Sequence, residues 1–281
     1  MQKIPVRHLK SPGPSGNFSI RDLQTLLSGQ DMTQPLHRHS FFHILALEKG
    51  VGEHSIDFIN YPISDHTVFF MRPGQAHQLS LKKGSTGYLL EFTREFYTPA
   101  NKAAMDTLRR VSHKPQCPLD AQRFKRLLSI LEEMMQEYTA KEDQFHDAIR
   151  SQLDIFFIRL LRQSRNPQSS ESNEYQRQRL EELQEWIERN IASQKQPAWY
   201  AAKMNLSAYQ LNATTKATLG KTVSQLIIDS IILEARRHLL ATTNQVNQIA
   251  DLLGFEDVSY FIRFFKKHTG HSPESYRQNF K

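Results

Sequence analysis

The sequence predicts an α+β protein with an N-terminal all-β domain followed by helices, and a C-terminal domain made only of helices. Three observations support this prediction. Between about residues 41 and 96, short β-forming runs alternate with turn signals. After Pro118 the apolar residues recur at helical spacing. The last hundred or so residues keep the helical period and contain an internal near-repeat.

The β part consists of five apolar runs separated by turn-forming residues. The runs are FHILALE, EHSIDFI, TVFFM, HQLSL and YLLEF, and the segments between them are KGVG, NYPISD, RPG and KKGSTG. Runs of this length at this spacing are typical of a β-sandwich or barrel. The chain of 281 residues, 39% of them apolar, is long enough for a second core beyond this one.

Three histidines lie close together in QPLHRHSFFH, just before the first β run. His37, His39 and His43 have the same parity, and residues of one parity in an extended strand point to the same face. We therefore expect the three imidazoles to converge. Such a cluster can hold a metal ion, line a polar ligand pocket or have a purely structural role, and the pattern leaves all three open.

Two amphipathic helices are predicted next, at 120–138 and 146–162. Their wide apolar stripes are equally compatible with packing on the sheet and with a dimer interface. The polar stretch RQSRNPQSSESNEYQRQ then predicts a linker. The expected domains are thus residues 1–165 and 179–281, joined by a linker at 166–178.

The near-repeat in the C-terminal domain has the outline of two helix-turn-helix units. AAKMNLS matches IADLLGFE at an offset of 49 residues, and Gly220 matches Gly270 at an offset of 50. Each copy predicts a short helix, a tight turn, a second helix and a glycine C-cap. The segment between the copies, VSQLIIDSIILEARRHLL, predicts one long helix of about 27 Å. This spacing suits two recognition helices in successive major grooves about 34 Å apart.

The second helix of each unit carries the residues expected to contact DNA. In DVSYFIRFFKKH, Asp257 is placed to cap the helix. The apolar back is expected to comprise Val258, Phe261, Ile262 and Phe265. The outward residues of this helix are Ser259, Tyr260, Arg263, Lys266 and Lys267, and those of the first unit are Tyr209, Gln210, Asn212 and Lys216. Arginine can read guanine in the major groove, and lysine can contact phosphate.

At this point the chain resembles a known family. IADLLGFEDVSYFIRFFKKHTGHSPESYR is similar to the signature of AraC/XylS-type bacterial transcription regulators, and the resemblance covers about residues 180–280. It implies two helix-turn-helix units joined by a long helix. The first unit departs from the pattern, because Ala213 stands where many members carry Arg.

The opening stretch resembles a second motif of such regulators. HRHSFFH followed by RPGQAH is similar to the two cupin motifs. The resemblance implies a cupin-like barrel in which His37, His39 and His77 occupy ligand places and His43 replaces the usual Glu. It implies that these four histidines bind a small-molecule effector, such as a sugar, while a metal ion such as zinc or iron is the alternative ligand. His54, His66, His113 and His146 are expected to be surface or internally satisfied residues.

The predicted function is that of a sequence-specific DNA-binding transcription regulator of the AraC/XylS type, controlled by an effector in the barrel. The alternative is a metal-dependent cupin enzyme fused to a DNA-binding domain. We expect no catalysis, because the sequence contains no phosphate loop, nucleophile elbow or paired-carboxylate motif. No cofactor is expected unless the histidines bind metal.

The expected partners are double-stranded operator DNA, a small-molecule effector, a second copy of the chain and RNA polymerase. The net charge of +7 favours an anionic partner. No membrane contact is expected, because the sequence contains no apolar run of about 18 residues. The single cysteine and the lack of an apolar secretory segment near the start predict a cytoplasmic protein.

Overall fold

The computed structural model describes residues 6–9, 17–163 and 171–279. The chain divides into two compact units, one spanning residues 5–167 and the other containing residues 168–281. Each is described by itself. Within the described ranges, no helix is both long enough and apolar enough to cross a membrane.

The described residues of the N-terminal unit form two five-stranded sheets. Its strands are β1 (Val6–Arg7), β2 (Phe18–Asp22), β3 (Met32–His39), β4 (Phe42–Lys49), β5 (Gly52–Ile56), β6 (Ile59–Ile63), β7 (Thr67–Met71), β8 (Ala76–Leu81), β9 (Thr86–Phe92) and β10 (Gln116–Pro118). Sheet A has the order β1-β3-β8-β5-β6, and sheet B has the order β10-β7-β4-β9-β2. The prediction of a β-rich N-terminal domain is confirmed, although the short helix at Leu23–Leu27 and the helix at Lys102–Ser112 interrupt its strands.

Sheet B is buried on both faces, which explains the continuous apolar run FHILALE. Leu45 and Leu47 of β4 join Leu79 of β8 in the core between the two sheets. Ile44 and Ala46 point the other way, into a second core beneath the helices. Strand alternation therefore divides one apolar run between two cores.

In the part of this unit that the structure describes, four helices accompany the sheets: α1 (Leu23–Leu27), α2 (Lys102–Ser112), α3 (Ala121–Ala140) and α4 (Phe145–Gln163). The two amphipathic helices predicted after Pro118 correspond to α3 and α4. Their apolar stripes pack on sheet B; the Phe157 ring, for example, stacks on Phe70 with centroids 5.6 Å apart. The sequence allowed these stripes either to pack on the sheet or to form a dimer interface, and the structure shows them packing on the sheet.

The linker prediction differs from the structure. Helix α5 (Glu171–Asn190) begins inside the segment 166–178 that was expected to be a linker, and residues 164–170 lie outside the described residues. No Gly or Pro follows Pro167 in this stretch, which is rich in the helix formers Glu, Gln and Arg. Leu180, Leu183 and Ile187 of α5 are buried at helical spacing. Because this packing stabilises the helix, α5 can continue towards its N-terminus into the polar stretch.

The C-terminal unit is entirely helical in the described residues. After α5 follow α6 (Pro197–Lys203), α7 (Ala208–Leu219), α8 (Val223–Ala241), α9 (Val246–Leu252), α10 (Val258–Thr269) and α11 (Pro273–Asn279). Helices α6 and α7 form the first helix-turn-helix unit, α9 and α10 form the second, and α8 joins them. The prediction of a double unit with one long connecting helix is confirmed.

The repeat seen in the sequence is also a repeat of backbone hydrogen bonds. In the first turn, the Leu206 N–H donates to the Ala201 carbonyl at 2.9 Å, and in the second the Phe255 N–H donates to the Ala250 carbonyl at 2.9 Å. Both recognition helices end on a left-handed glycine, with φ of 67° at Gly220 and 81° at Gly270. The glycine C-caps inferred from the sequence are therefore confirmed.

Candidate functional site

Five buried histidines meet between the two sheets, and we call them the histidine cluster. They are His37 and His39 on β3, His54 on β5 and His77 on β8, all from sheet A, together with His43 on β4 of sheet B. None is more than 5% exposed. Glu91 on β9 adjoins the cluster, because it pairs in register with His43.

The histidines converge for a different reason from the one that parity suggested. Strand β3 ends at His39 and β4 begins at Phe42, so His43 belongs to another strand and another sheet. The expectation that one extended strand presents all three imidazoles was therefore wrong. His37 and His39 share a strand face, whereas His43 reaches them because the chain turns between the two strands and sheets A and B share one core.

His77 lies at the centre of the cluster. Its Nε2 is 3.0 Å from His37 Nε2 and 2.8 Å from His39 Nε2. Its Nδ1 is 2.9 Å from His54 Nε2. At the edges, His37 Nδ1 lies 2.7 Å from the Pro35 carbonyl oxygen, and His43 Nδ1 lies 3.2 Å from Glu91 Oε1. Three imidazole nitrogens therefore face one point.

Burial keeps most of these rings neutral. It lowers the pKa of His37 to about 4 and that of His54 to about 3, and it lowers the pKa values of His39 and His77 still further. Burial alone would raise the pKa of Glu91, but the hydrogen bond and charge of His43 and the charge of Arg21 lower it below its ordinary value. The site thus combines four neutral imidazoles, those of His37, His39, His54 and His77, with an ionised carboxylate.

The sequence reasoning missed two members of the site. His54 was expected to be a surface or satisfied residue, yet it is fully buried and contacts His77. Glu91 was not singled out at all. The available signal was strand parity, because His54 has the same parity as the buried Ile56 and Glu91 has the same parity as the buried Leu89. Parity could not show that these strands face the cluster.

A cavity of about 660 Å³ borders the cluster. It is lined by Val6, Arg7, His8, Leu9, Ser19, Arg21, His39, Phe41 and Glu91. Arg21 Nη2 donates to Glu91 Oε2 at 2.6 Å, so an ion pair forms part of the wall. Of the four histidines expected to bind an effector, His39 contributes to this lining among the described residues.

Helix α10 presents its polar residues as expected. Phe261 and Phe265 are fully buried, and the Asp257 carboxylate accepts a hydrogen bond from the Ser259 N–H at 2.7 Å, which caps the helix. Ile262 differs from the expectation, because it is 36% exposed rather than part of the apolar back. The residues exposed on this helix include Ser259, Tyr260, Arg263, Lys266 and Lys267.

Helix α7 exposes three of its four expected contact residues, Tyr209, Gln210 and Lys216. Tyr209 is 83% exposed, whereas the Gln210 side chain accepts a hydrogen bond from the Ser207 N–H at 2.9 Å in a capping box. Asn212 is half-buried, and its Oδ1 accepts a hydrogen bond from the Val223 N–H at 3.0 Å. That carbonyl oxygen is thus engaged at the junction of α7 and α8.

Comparison with known proteins finds a matching family model in each of the two units. The family model described as an AraC-like ligand binding domain matches residues 27–155, and the one described as a helix-turn-helix domain matches residues 200–279. The HTH-type transcriptional activator RhaS of Escherichia coli O1:K1 / APEC is 25% identical over 279 residues, which are 98% of each chain. RhaS of Pectobacterium carotovorum subsp. carotovorum (strain PC1) is 25% identical over 254 residues, which are 86% of this chain and 87% of that protein.

Two solved structures show weaker likenesses. The C-terminal domain of the two-component response regulator yesN from Fusobacterium nucleatum is 32% identical over 35% of this chain and 96% of that chain, with a TM-score of 0.34. ToxT from Vibrio cholerae O395 is 12% identical over 93% of this chain and 97% of that chain, with a TM-score of 0.43. Taken together, the two family models and the paired helix-turn-helix units show that the chain belongs to the AraC family of DNA-binding transcription regulators, with an N-terminal ligand-binding domain.

Proposed function

We propose that this regulator binds a small polar effector in the cavity beside the histidine cluster, and that the effector controls binding to operator DNA. The observation that carries the proposal is the cavity itself, whose volume of about 660 Å³ suits a small molecule. Its wall includes the Arg21–Glu91 ion pair, which offers both donors and acceptors. Hydroxyl groups both donate and accept hydrogen bonds, so a sugar matches this lining.

The DNA contacts are assigned to α7 and α10. Arg263 is 69% exposed at its side chain and can make a bidentate contact with guanine. Ser259, Tyr260, Tyr209 and Gln210 are assigned to bases or nearby backbone, and Lys216, Lys266 and Lys267 to phosphates. Asn212 has one side-chain oxygen bound within the fold. Its amide nitrogen is the group that we assign to DNA.

The other proposed partners are RNA polymerase and a second copy of the chain. The RhaS relatives are named transcriptional activators, and we infer that this chain also activates, through contact with RNA polymerase at the promoter. We propose that it acts as a homodimer in the cytoplasm and that it works by binding rather than by catalysis. A second copy doubles the number of recognition helices on an operator.

A ligand screen on the full chain tests the effector proposal. A panel of sugars and sugar acids is assayed by thermal shift, because a ligand that binds the folded state raises the apparent stability by about 2.7 kcal/mol at a hundredfold excess over Kd. A ligand that binds is then tested for its effect on operator affinity by fluorescence anisotropy. We expect at least one such compound to change both readings.

His39→Ala and His146→Ala separate the pocket from the rest of the domain. His39 lines the cavity, whereas His146 lies on α4 outside the cluster. We expect His39→Ala to weaken the effector response of operator binding, and His146→Ala to respond as the wild type does. An unchanged response in His39→Ala would show that the cavity is not the effector site.

A further inference from the structure

Lys195 lies in the turn between α5 and α6, and its ammonium group connects this turn to the second helix-turn-helix unit. Lys195 Nζ donates to the Ala192 carbonyl oxygen at 3.1 Å and to the Gly254 carbonyl oxygen at 2.7 Å. It also lies 4.9 Å from the centre of the Phe255 ring. One cation therefore contacts three groups, and two of them belong to the turn between α9 and α10.

The two turns that Lys195 connects are in close contact. A Cβ added at Gly254 would lie 1.7 Å from the Ala192 carbonyl oxygen and 3.0 Å from Lys195 Nζ. Burial lowers the pKa of Lys195, because its ammonium group is partly withdrawn from water. Hydrogen bonds from a charged donor are shorter and stronger than those from a neutral donor, so these contacts restrain the two turns relative to each other.

The backbone beside Lys195 is itself fixed to α5 and α6. Tyr200 on α6 is fully buried, and its hydroxyl donates to the Gln194 carbonyl oxygen at 2.7 Å. The Gln194 N–H donates to the carbonyl oxygen of Asn190, the last residue of α5, at 2.7 Å. Lys195 therefore extends from a segment that is hydrogen-bonded to both helices.

On its other side, the Lys195 contact reaches the recognition helix α10 through Phe255. The Phe255 ring is buried, and its centroid lies 5.2 Å from that of Phe261 and 5.4 Å from that of Phe264. The ring of Tyr260, which is exposed on the same helix, has its centroid 5.9 Å from that of Phe255. Because protein interiors are closely packed, a displacement of Phe255 would also displace α10.

We propose that Lys195 is a positioning residue for DNA recognition, which fixes the orientation of α10 relative to α5 and α6. Helix α8 joins the two helix-turn-helix units covalently, and Lys195 provides a second connection that does not pass through α8. Two recognition helices can enter successive major grooves only if their spacing and angle are maintained. This role goes beyond the proposed effector function, because it concerns the C-terminal unit alone.

Distances between the two recognition helices test the proposal without DNA or effector. Spin labels are attached to the full chain at Ala213→Cys on α7 and Ile262→Cys on α10, because both positions are exposed, and the native Cys117 is replaced by Ser. An excess of unlabelled chain dilutes any signal between copies. Double electron–electron resonance should give a narrow distribution of distances when Lys195 is present and a broader one in Lys195→Met.

Matched variants separate the Lys195 contacts from general effects of substitution. Lys195→Met keeps most of the side-chain length but loses the charge and the donors. Lys195→Arg keeps a cation that can donate to carbonyl oxygens and stack on an aromatic ring, so it should restore the narrow distribution. Lys203→Met is the control, because Lys203 Nζ lies 5.4 Å from the centre of the Trp199 ring in the same helix, α6. It should leave the distribution unchanged.

Base preference is the second reading. A duplex selected by the wild-type chain from a random pool is titrated, with its single-base variants, by fluorescence anisotropy. Positions at which Arg263→Ala loses preference are assigned to α10, and those at which Tyr209→Ala loses it are assigned to α7. Lys195→Met should lower the discrimination at the α10 positions by about fivefold, the lower end for a bidentate base contact, and leave the α7 positions unchanged.

The proposal is overturned if folded Lys195→Met has the wild-type distance distribution, or if Lys203→Met or Lys195→Arg broadens it as much as Lys195→Met does. It is also overturned if Lys195→Met lowers discrimination equally at the α7 and α10 positions, as a general loss of stability would. Circular dichroism checks folding, and Lys195→Gln replaces Lys195→Met if that variant unfolds. Because neither reading uses an effector, a failed effector screen leaves both results unaffected.

Discussion

Arg263 is the side chain that we expect to make a bidentate contact with guanine. It is exposed on α10, and its nearest acidic contact is Asp257 at 3.9 Å, a distance at which an exposed ion pair restrains it little. Arg263→Ala should abolish the preference at one base position, with a loss of about 1–3 kcal/mol in discrimination. Anisotropy titrations with a selected operator and its single-base variants measure this loss.

Lys216→Ala is the matched control for Arg263→Ala. Lys216 is exposed on α7 and is assigned to phosphate, so its loss should weaken binding to all sequences and reduce the salt slope by about one unit. If Arg263→Ala binds the operator with wild-type affinity and specificity while the domain stays folded, the assignment of α10 to the groove is wrong.

Gly254 is the residue on which the turn of the second unit depends. Its φ is +68°, and an added Cβ would lie 1.7 Å from the Ala192 carbonyl oxygen. Gly270 also has a positive φ, of +81°, but an added Cβ there meets nothing within 4 Å. Gly270→Ala should therefore cost only the backbone strain of about 1–2 kcal/mol. Gly254→Ala should cost roughly 1–3 kcal/mol more. Urea unfolding of both variants tests the difference, and equal losses would contradict the predicted clash.

The buried histidines should make the N-terminal unit sensitive to acid. The pKa of His37 is lowered to about 4 and that of His54 to about 3, whereas unfolded histidines titrate near 6.5. As the pH falls from about 6.5 towards 4, the unfolded state therefore takes up protons that the folded state does not, and stability is lost. Urea midpoints from circular dichroism should fall across this window. A constant midpoint would contradict the prediction.

At the scale of elements, the junction between α7 and α8 depends on Asn212. Its Oδ1 accepts from the Val223 N–H, one of the backbone donors at the start of α8 that has no partner within the helix. Asn212→Ala should destabilise the C-terminal unit by about 1 kcal/mol. Asn212→Asp keeps an acceptor oxygen and should retain most of the stability. If both variants unfold at the wild-type urea concentration, the junction does not depend on this hydrogen bond.

At the scale of the whole molecule, the apolar residues left on the N-terminal helices suggest where a second copy binds. Ile155 and Ile158 on α4 are 46% and 40% exposed, and Met105 on α2 is 53% exposed. The full chain should dimerise at micromolar concentration. The double variant Ile155→Lys, Ile158→Lys should weaken the dimer by about 1–2 kcal/mol, because it places charges at a desolvated contact.

Sedimentation velocity over a range of concentrations measures the dimer. Val51→Lys is a suitable control, because Val51 is 65% exposed and belongs to the turn between β4 and β5 rather than to either helix. A wild-type chain that stays monomeric would contradict the dimer, and a double variant that dimerises normally would place the interface elsewhere.

The local features of this fold were predictable because they depend on neighbours in the sequence. The period of the apolar residues identified α3, α4 and the helices of the C-terminal unit, and the repeated turn identified two helix-turn-helix units. The caps at Asp257 and Gly270 were visible because capping needs particular residue types at fixed positions. The start of α5 was missed, because a polar stretch does not reveal that a packed helix continues into it.

The sequence by itself determined that the chain has a β-rich domain and paired DNA-binding units, and that histidines lie near the start of the first. Only the tertiary structure decided which histidines meet. His54 and Glu91 reach the cluster from β5 and β9 because strand pairing and the packing of sheet A on sheet B bring distant residues together. Pairing register depends on contacts across the whole domain, so a pattern read along one segment cannot specify it.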